Sequence, residues 1–239
     1  NKEVFFSNDQ DSDSYEDAPE FLPLFSKQEE DESNKIEVPE ELAVLTMRNT
    51  VLYPGVIFPI TVGRDKSIRL IKDANKKDKI IAVVAQKNPS VEDPTVDDLY
   101  SVGTLAQIVR LMRMPDGSST VIIQGKRRFE MLQATQTEPY MKAKVRVLTE
   151  QPIDSANKEL EVMFNTIKDL ALQIIRESPN IPSEAQFAIG NIDSPSFLVN
   201  FISSNMNADV AKKQAMLEEM DIKKRVMMVL EHLTAEIQV

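Results

Sequence analysis

Two textures divide the chain. Between Leu42 and Leu148 short apolar runs alternate with turn residues, whereas beyond Gln151-Pro152 apolar positions recur at three- and four-residue intervals. The first pattern predicts strands and the second predicts helices. "LAVLTMR" (Leu42 to Arg48) and "VIFPITV" (Val56 to Val62) read as strands on either side of a Pro54-Gly55 turn. Pro59 has no N–H to give a ladder, which places its strand at a sheet edge or a bulge. Gly63 is expected to supply a backbone angle that lets the chain leave the strand and enter a short helix, "RDKSIRLIKDANKK", with Ile68, Leu70 and Ile71 inward. "KIIAVVAQ" (Lys79 to Gln86) reads as a buried strand, and Tyr100 to Met114 as a long one with Gly103 at a bulge or bend. Pro115-Asp116-Gly117 predicts a hairpin turn, after which "STVIIQG" returns antiparallel and ends at Gly125. "RRFEMLQATQ" and "YMKAKVRVL" (Tyr140 to Leu148) complete six or seven strands with one helix, a set that predicts a curled, partly closed sheet.

In the second half, Leu160, Met163, Phe164, Ile167, Leu170, Ala171, Ile174 and Ile175 form one helical stripe that Pro179 and Pro182 should end. Shorter helices are predicted around "SEAQFAIGNI", "PSFLVNFIS" and "NADVAKKQAMLEE". Asp221 suits the N-cap of a last helix whose Ile222, Val226, Leu230, Leu233 and Ile237 share a stripe. That seam is still in register at Val239 without a stop signal, so the sequence reads as a piece of a longer protein. The fold class is therefore α+β. Its expected parts are an acidic, largely irregular tail over 1–41, a curled β domain over 42–150, and over 151–239 a helical bundle ending in a long helix.

Charge sharpens this division. Of the formal −10, residues 1–41 hold 14 Asp/Glu against 3 Lys, while residues 42–239 hold 24 acidic and 25 basic residues. The acidity belongs to the tail, whose composition favours disorder. Two apolar clusters in it, Val4 to Phe6 and Phe21 to Phe25, either dock on a partner or on the body, or are simply solvated. A near-neutral body with 6% aromatics lacks the basic excess and stacking residues of a nucleic-acid binder. No run approaches the roughly 18 apolar residues of a membrane span. The absence of cysteine removes disulfides, thiolate nucleophiles and cysteine-ligated metals, and it fits a reducing compartment.

Candidate chemistry is sparse. A P-loop ending at Gly125-Lys126 would need Gly in place of Thr120 and Ser or Thr in place of Arg127. His232, the single histidine, is expected to be an exposed helical residue, and without a second His or any Cys a zinc site is not expected. Carboxylate pairs such as Asp97-Asp98 and Glu218-Glu219 have the look of solvated surface. The basic cluster "GKRRFE" (Gly125 to Glu130) reads as a charged strand edge rather than a phosphate site. No catalytic, cofactor-binding or metal-ligating residue is assigned.

"LAVLTMRNTVLYPGVIFPITVGRDKSIRLI", "IIAVVAQ" and "YSVGTLAQIVRLMRMPDGSSTVIIQGKRRFEM" resemble the amino-terminal domain of Lon, the ATP-dependent serine protease. Leu45, Arg48, Asn49, Val51, Pro54, Gly55, Pro59, Val62, Gly63, Arg64, Ser67, Gly103, Gly125 and Arg127-Arg128 carry the resemblance. The segment "LEEMDIKKRVMMVLEHLTAEIQV" is similar to the start of the long helix leading toward the Lon ATPase module. The resemblance implies a PUA-like β domain, then a helical bundle, in a cytoplasmic, hexameric protein. Its ATPase and Ser-Lys protease modules are not in this sequence, so ATP and Mg are expected only there. The implied partners are unfolded or degron-bearing protein substrates and other Lon subunits, with no membrane or nucleic acid. Arg64, Asp65 and Lys66, at the strand-to-helix turn, and Met112 and Met114, by the hairpin, are the candidate substrate or partner contacts. An oligomerisation element with little substrate contact, and a stand-alone peptide-binding module, are the alternatives.

Overall fold

The computed structural model describes residues 27–154, 156–177 and 183–238. The apolar clusters of the tail, Pro179 and Pro182 lie outside them. Two compact units are present, a β unit over 28–149 and a helical unit from 150 onward. A short helix, α1 (Lys27–Ser33), forms within the segment whose composition suggests irregular chain.

In the β unit the order is β1 (Glu41–Met47), β2 (Ile57–Val62), α2 (Asp65–Asn75), β3 (Ile80–Ala85), a 3-10 turn at Val96–Asp98, β4 (Val102–Arg113), β5 (Ser119–Gln136) and β6 (Lys142–Val147). The strand order is β2-β5-β4-β3-β1-β6, and β5 also pairs β6. The sheet therefore closes on itself through β5, β4, β3, β1 and β6, while β2 pairs β5 alone. Pro59 thus sits on a strand with one neighbour, where a missing N–H costs little. Only β1 and β3 run parallel, with Val44 opposite Ala82 and Met47 opposite Ala85.

One strand, β5, replaces the two that the glycine at 125 suggests. Its 18 residues pair β2 along 119–124 and β6 along 129–136, with β4 on the opposite edge over 119–130. Gly125 is consequently not a strand end. A Cβ there would lie 2.2 Å from the Tyr53 carbonyl oxygen, so glycine is required for the Tyr53-Pro54-Gly55 turn to press onto the strand. The Gly125 N–H donates to Val56 O at 2.9 Å, and the Gly55 N–H to Gly125 O at 2.8 Å. Gly55 takes a φ of 84°, which completes the turn.

Three further expectations are corrected. Gly103 is regularly paired with Phe129, and the register shift lies beyond it, between Thr104 and Ala106. Its lack of a side chain serves close approach, because a Cβ would lie 2.2 Å from Val83 O and 2.8 Å from the Phe129 ring. Gly63 has no left-handed φ and a Cβ there would meet nothing within 4 Å, so the swing into α2 does not depend on glycine. The basic cluster is no solvated edge either. It lies on a strand paired on both sides, with Arg128 only 1% exposed and Phe129 fully buried.

Both faces of β3 are covered. Ile81 and Val83 join Leu45, Val121, Ile123 and the α2 residues Leu70, Ile71 and Ala74, while Ile80, Ala82 and Val84 join Leu42, Val44, Leu105 and Phe129. An unbroken apolar run is what such a strand needs.

The helical unit comprises α3 (Lys158–Glu177), α4 (Ser183–Gly190), α5 (Pro195–Asn205), α6 (Val210–Glu218) and α7 (Ile222–Ile237). On α3 the stripe is buried at Leu160, Phe164, Ile167, Ala171, Ile174 and Ile175. The side chains of Ser194, Asp209 and Asp221 cap α5, α6 and α7 by accepting from Phe197, Lys212 and Lys223 N–H groups. Seven consecutive residues of α5, Phe197 to Ser203, are buried, which makes it the helix enclosed on most sides. On α7 the buried positions are Arg225, Val226, Val229 and Leu233, with Ile222, Leu230 and Ile237 only half-buried. The Arg225 guanidinium donates to Asn200 Oδ1 at 2.6 Å, placing a polar pair in this core.

Candidate functional site

Arg64 precedes α2 in an extended conformation and caps it with no side-chain hydrogen bond. Its guanidinium instead donates to the Glu92 carbonyl across a gap of 28 residues. Burial and the neighbouring Arg48 lower its pKa, while Asp93 and Glu92 oppose that shift. Asp65 lies in the first turn of α2, where a carboxylate complements the helix N-terminus. Lys66 Nζ reaches Glu138 Oε1 at 2.8 Å and Asp93 Oδ1 at 3.4 Å. Its pKa is raised, chiefly by the Glu138 hydrogen bond.

The loop facing them is held from behind. Gln86 is fully buried, and its amide donates to Asn88 O at 3.2 Å and Val91 O at 3.0 Å. Thr95 and Asp98 then form a reciprocal capping box around the 3-10 turn. On the other side, Tyr140 is buried and donates its hydroxyl to Asp73 Oδ2 at 2.8 Å. Burial first, and that hydrogen bond second, raise its pKa.

Between these walls lies a cleft of about 720 Å³. Val44, Leu45 and Thr46 of β1 and Leu70 of α2 line it, joined by Tyr140 and Met141 after β5. Its rim carries Arg64, Asp65 and Lys66 together with Glu92, Asp93, Asp97 and Glu138. The volume falls within the roughly 300–1,000 Å³ of small-ligand clefts. An apolar floor with polar groups around the mouth can hold an apolar side chain while orienting the chain that bears it.

Arg64, Asp65 and Lys66, read from the sequence as one charged turn, therefore share a cleft. Met112 and Met114 do not line it; both are half-buried on the β4–β5 hairpin, where Gly117 takes a φ of 90°. Asp97 read from the sequence as solvated surface, and Glu92, Asp93 and Glu138 were not singled out, because nothing in local spacing says that residues 66, 93 and 138 meet.

A second, smaller cleft of about 330 Å³ lies in the helical unit, between the start of α3 and the start of α5, with Leu160, Phe164 and Leu198 in its lining. His232 is not an exposed residue. Its side chain is 12% exposed, with Nδ1 2.7 Å from Lys212 Nζ and Nε2 3.4 Å from Glu236 Oε1. Burial, then Lys212, lowers its pKa, and burial raises that of Glu236. Among the described residues no three His, Cys, Asp or Glu side chains are grouped to hold a metal ion, and no helix is long and apolar enough to cross a membrane.

The family model of the ATP-dependent protease La (LON) substrate-binding domain matches residues 41–235. The chain belongs to this family. It is 49% identical over 224 residues to the Lon protease of Flavobacterium johnsoniae, covering 94% of this chain and 27% of that protein. It is 45% identical over 219 residues to the Lon protease of Cytophaga hutchinsonii, covering 92% and 27%. The chain thus spans about a quarter of the length of these relatives. Among solved structures, the N-terminal domain of a Mycobacterium avium complex Lon protease aligns with a TM-score of 0.65 at 21% identity, covering 81% of this chain and 98% of that one. A Lon N-terminal domain protein from Xanthomonas campestris aligns at 0.59 and 14%, covering 80% and 97%. These two likenesses carry the α+β fold.

Proposed function

We propose that the chain is the non-catalytic substrate-recognition region of an ATP-dependent Lon-type protease. Its β unit, PUA-like in type, captures unfolded or degron-bearing protein segments, with Arg64, Asp65 and Lys66 at the contact. The observation that carries this placement is the cleft of about 720 Å³, whose apolar floor and charged rim suit an extended segment with its side chains spread. ATP and Mg belong to a separate module, as does peptide-bond cleavage, and the assembled protein works as a cytoplasmic hexamer. Met112 and Met114 supply a separate, adaptable contact.

Fluorescence anisotropy with a labelled, permanently unfolded test protein checks the reading. Thr137, exposed on the cleft wall, is replaced by Trp to fill the cleft. Affinity is expected to fall by about tenfold, or 1.4 kcal/mol. Unchanged affinity removes the cleft from the function, and loss in Met112→Ser/Met114→Ser alone moves the contact to the hairpin.

The second reading is an oligomerisation element. Met227, 41% exposed, and the half-buried Leu230 and Ile237 on α7 favour it. Sedimentation velocity decides: a monomer at the highest attainable concentration counts against self-association through α7.

A further inference from the structure

We infer that the cleft of the β unit selects segments whose apolar side chains are flanked by lysine or arginine. The inference rests on the reading of the cleft as a protein-segment site and adds to it the charge of the segment. Five carboxylates line the cleft, from Asp65, Glu92, Asp93, Asp97 and Glu138, against the two cations Arg64 and Lys66. This excess of three negative charges stands on a body that is nearly neutral as a whole, with 24 acidic and 25 basic residues over 42–239.

The two cations are already committed. Lys66 bridges Glu138 and Asp93, and Arg64 is spent on the Glu92 carbonyl. The carboxylates of Asp65 and Asp97 are exposed and make no side-chain hydrogen bond or ion pair with any described residue. An incoming ammonium or guanidinium therefore meets open carboxylates, whereas an incoming carboxylate meets cations whose positive charge is already shared. Like charge disfavours acidic segments and the nucleic-acid backbone alike. The carboxylates ring the mouth and are not gathered as a metal-holding group among the described residues, which suits several separate side-chain cations better than one ion. The floor of Leu45, Leu70 and Met141 receives the apolar side chain between them.

The test uses the 239-residue chain and two fluorescein-labelled peptides of equal length, one with leucines flanked by lysines and one with the same leucines flanked by glutamates. The lysine peptide is expected to bind more tightly, with the preference shrinking as salt rises. Asp65→Asn/Asp97→Asn should weaken it by about threefold per carboxylate at low ionic strength. Lys66→Met, which removes a rim cation, should tighten it and weaken the glutamate peptide further. The Asp97 side chain takes no part in the Thr95–Asp98 capping bonds, so its amide variant leaves the loop intact. Equal binding of both peptides, each lost in Thr137→Trp, overturns the charge preference and leaves the cleft as the capture site. Binding of both peptides untouched by Thr137→Trp overturns the cleft itself. Tighter binding of the glutamate peptide, weakened by Lys66→Met, reverses the inference.

Discussion

At Gly125 the β unit has no room for a methyl group. A Cβ there would sit 2.2 Å from Tyr53 O, 3.0 Å from Tyr53 C and 3.2 Å from Pro54 Cα, all backbone atoms. Real side chains keep at least 3.0 Å, so the carbonyl would have to recede by about 0.8 Å. It cannot do so freely. The turn is tied to the same residue by the 2.9 Å and 2.8 Å hydrogen bonds from Gly125 N–H and to Gly125 O, and Tyr53 is fully buried. Overpacking of this kind costs about 1–3 kcal/mol, and weakening one of the two bonds adds about 1 kcal/mol. We expect Gly125→Ala to destabilise the β unit by about 3 kcal/mol. Urea unfolding followed by circular dichroism, with Gly63→Ala as the reference, measures it. Gly63 has free space and no left-handed φ, so its alanine variant should be neutral or stabilising by up to about 1 kcal/mol. If Gly125→Ala falls within about 0.5 kcal/mol of the parent, the turn is not pinned to β5 and the argument for a required glycine fails.

Two further outcomes concern the helical unit. Asn200→Ala leaves the Arg225 guanidinium buried without its 2.6 Å acceptor and should cost about 2 kcal/mol in thermal unfolding, whereas the double variant Asn200→Leu/Arg225→Met should recover most of the loss. A double variant no more stable than Asn200→Ala would mean that the arginine is held mainly by other contacts. His232 has a lowered pKa in the folded chain, so the unfolded chain binds the additional proton, and stability should fall as pH drops below the ordinary value of 6.5 toward the folded value. Glu236, with a raised pKa, acts in the opposite direction: its contribution is present below 4.5 and is lost as pH rises through its folded value. His232→Gln should therefore flatten the stability profile just below pH 6.5 without changing its shape near pH 4.5, as read from urea midpoints at stepped pH. An unaltered profile would show that the histidine charges without cost.

Local pattern was enough for much of this protein. Alternation and punctuation predicted the strands, Pro59 declared a strand with a free edge, Asp116-Gly117 the β4–β5 hairpin, and Asp221 the cap of α7. The α3 stripe was legible at Leu160, Phe164, Ile167, Ala171, Ile174 and Ile175, with Met163 and Leu170 only half-buried, because helical periodicity and burial share one period of 3.6. The motifs from Leu42 onward also carried the family resemblance.

What the sequence could not state is which distant residues meet. Glycine reads locally as a place where a strand weakens, so Gly125 looked like an end, although the Tyr53-Pro54 turn packed upon it keeps β5 continuous. Gly103 looked like a bend for the same reason, although Val83 and Phe129 demand it. A run of basic residues reads as surface until strands on both sides bury Arg128. The cleft is the fullest case. Its rim joins positions 66, 93 and 138, and its floor adds β1, so neither its volume nor its negative excess exists in any one segment. Periodicity and turn chemistry are properties of a few consecutive residues, and they determined the elements. Sheet closure and side-chain reach act across tens of residues, and only they decided where those elements make a site.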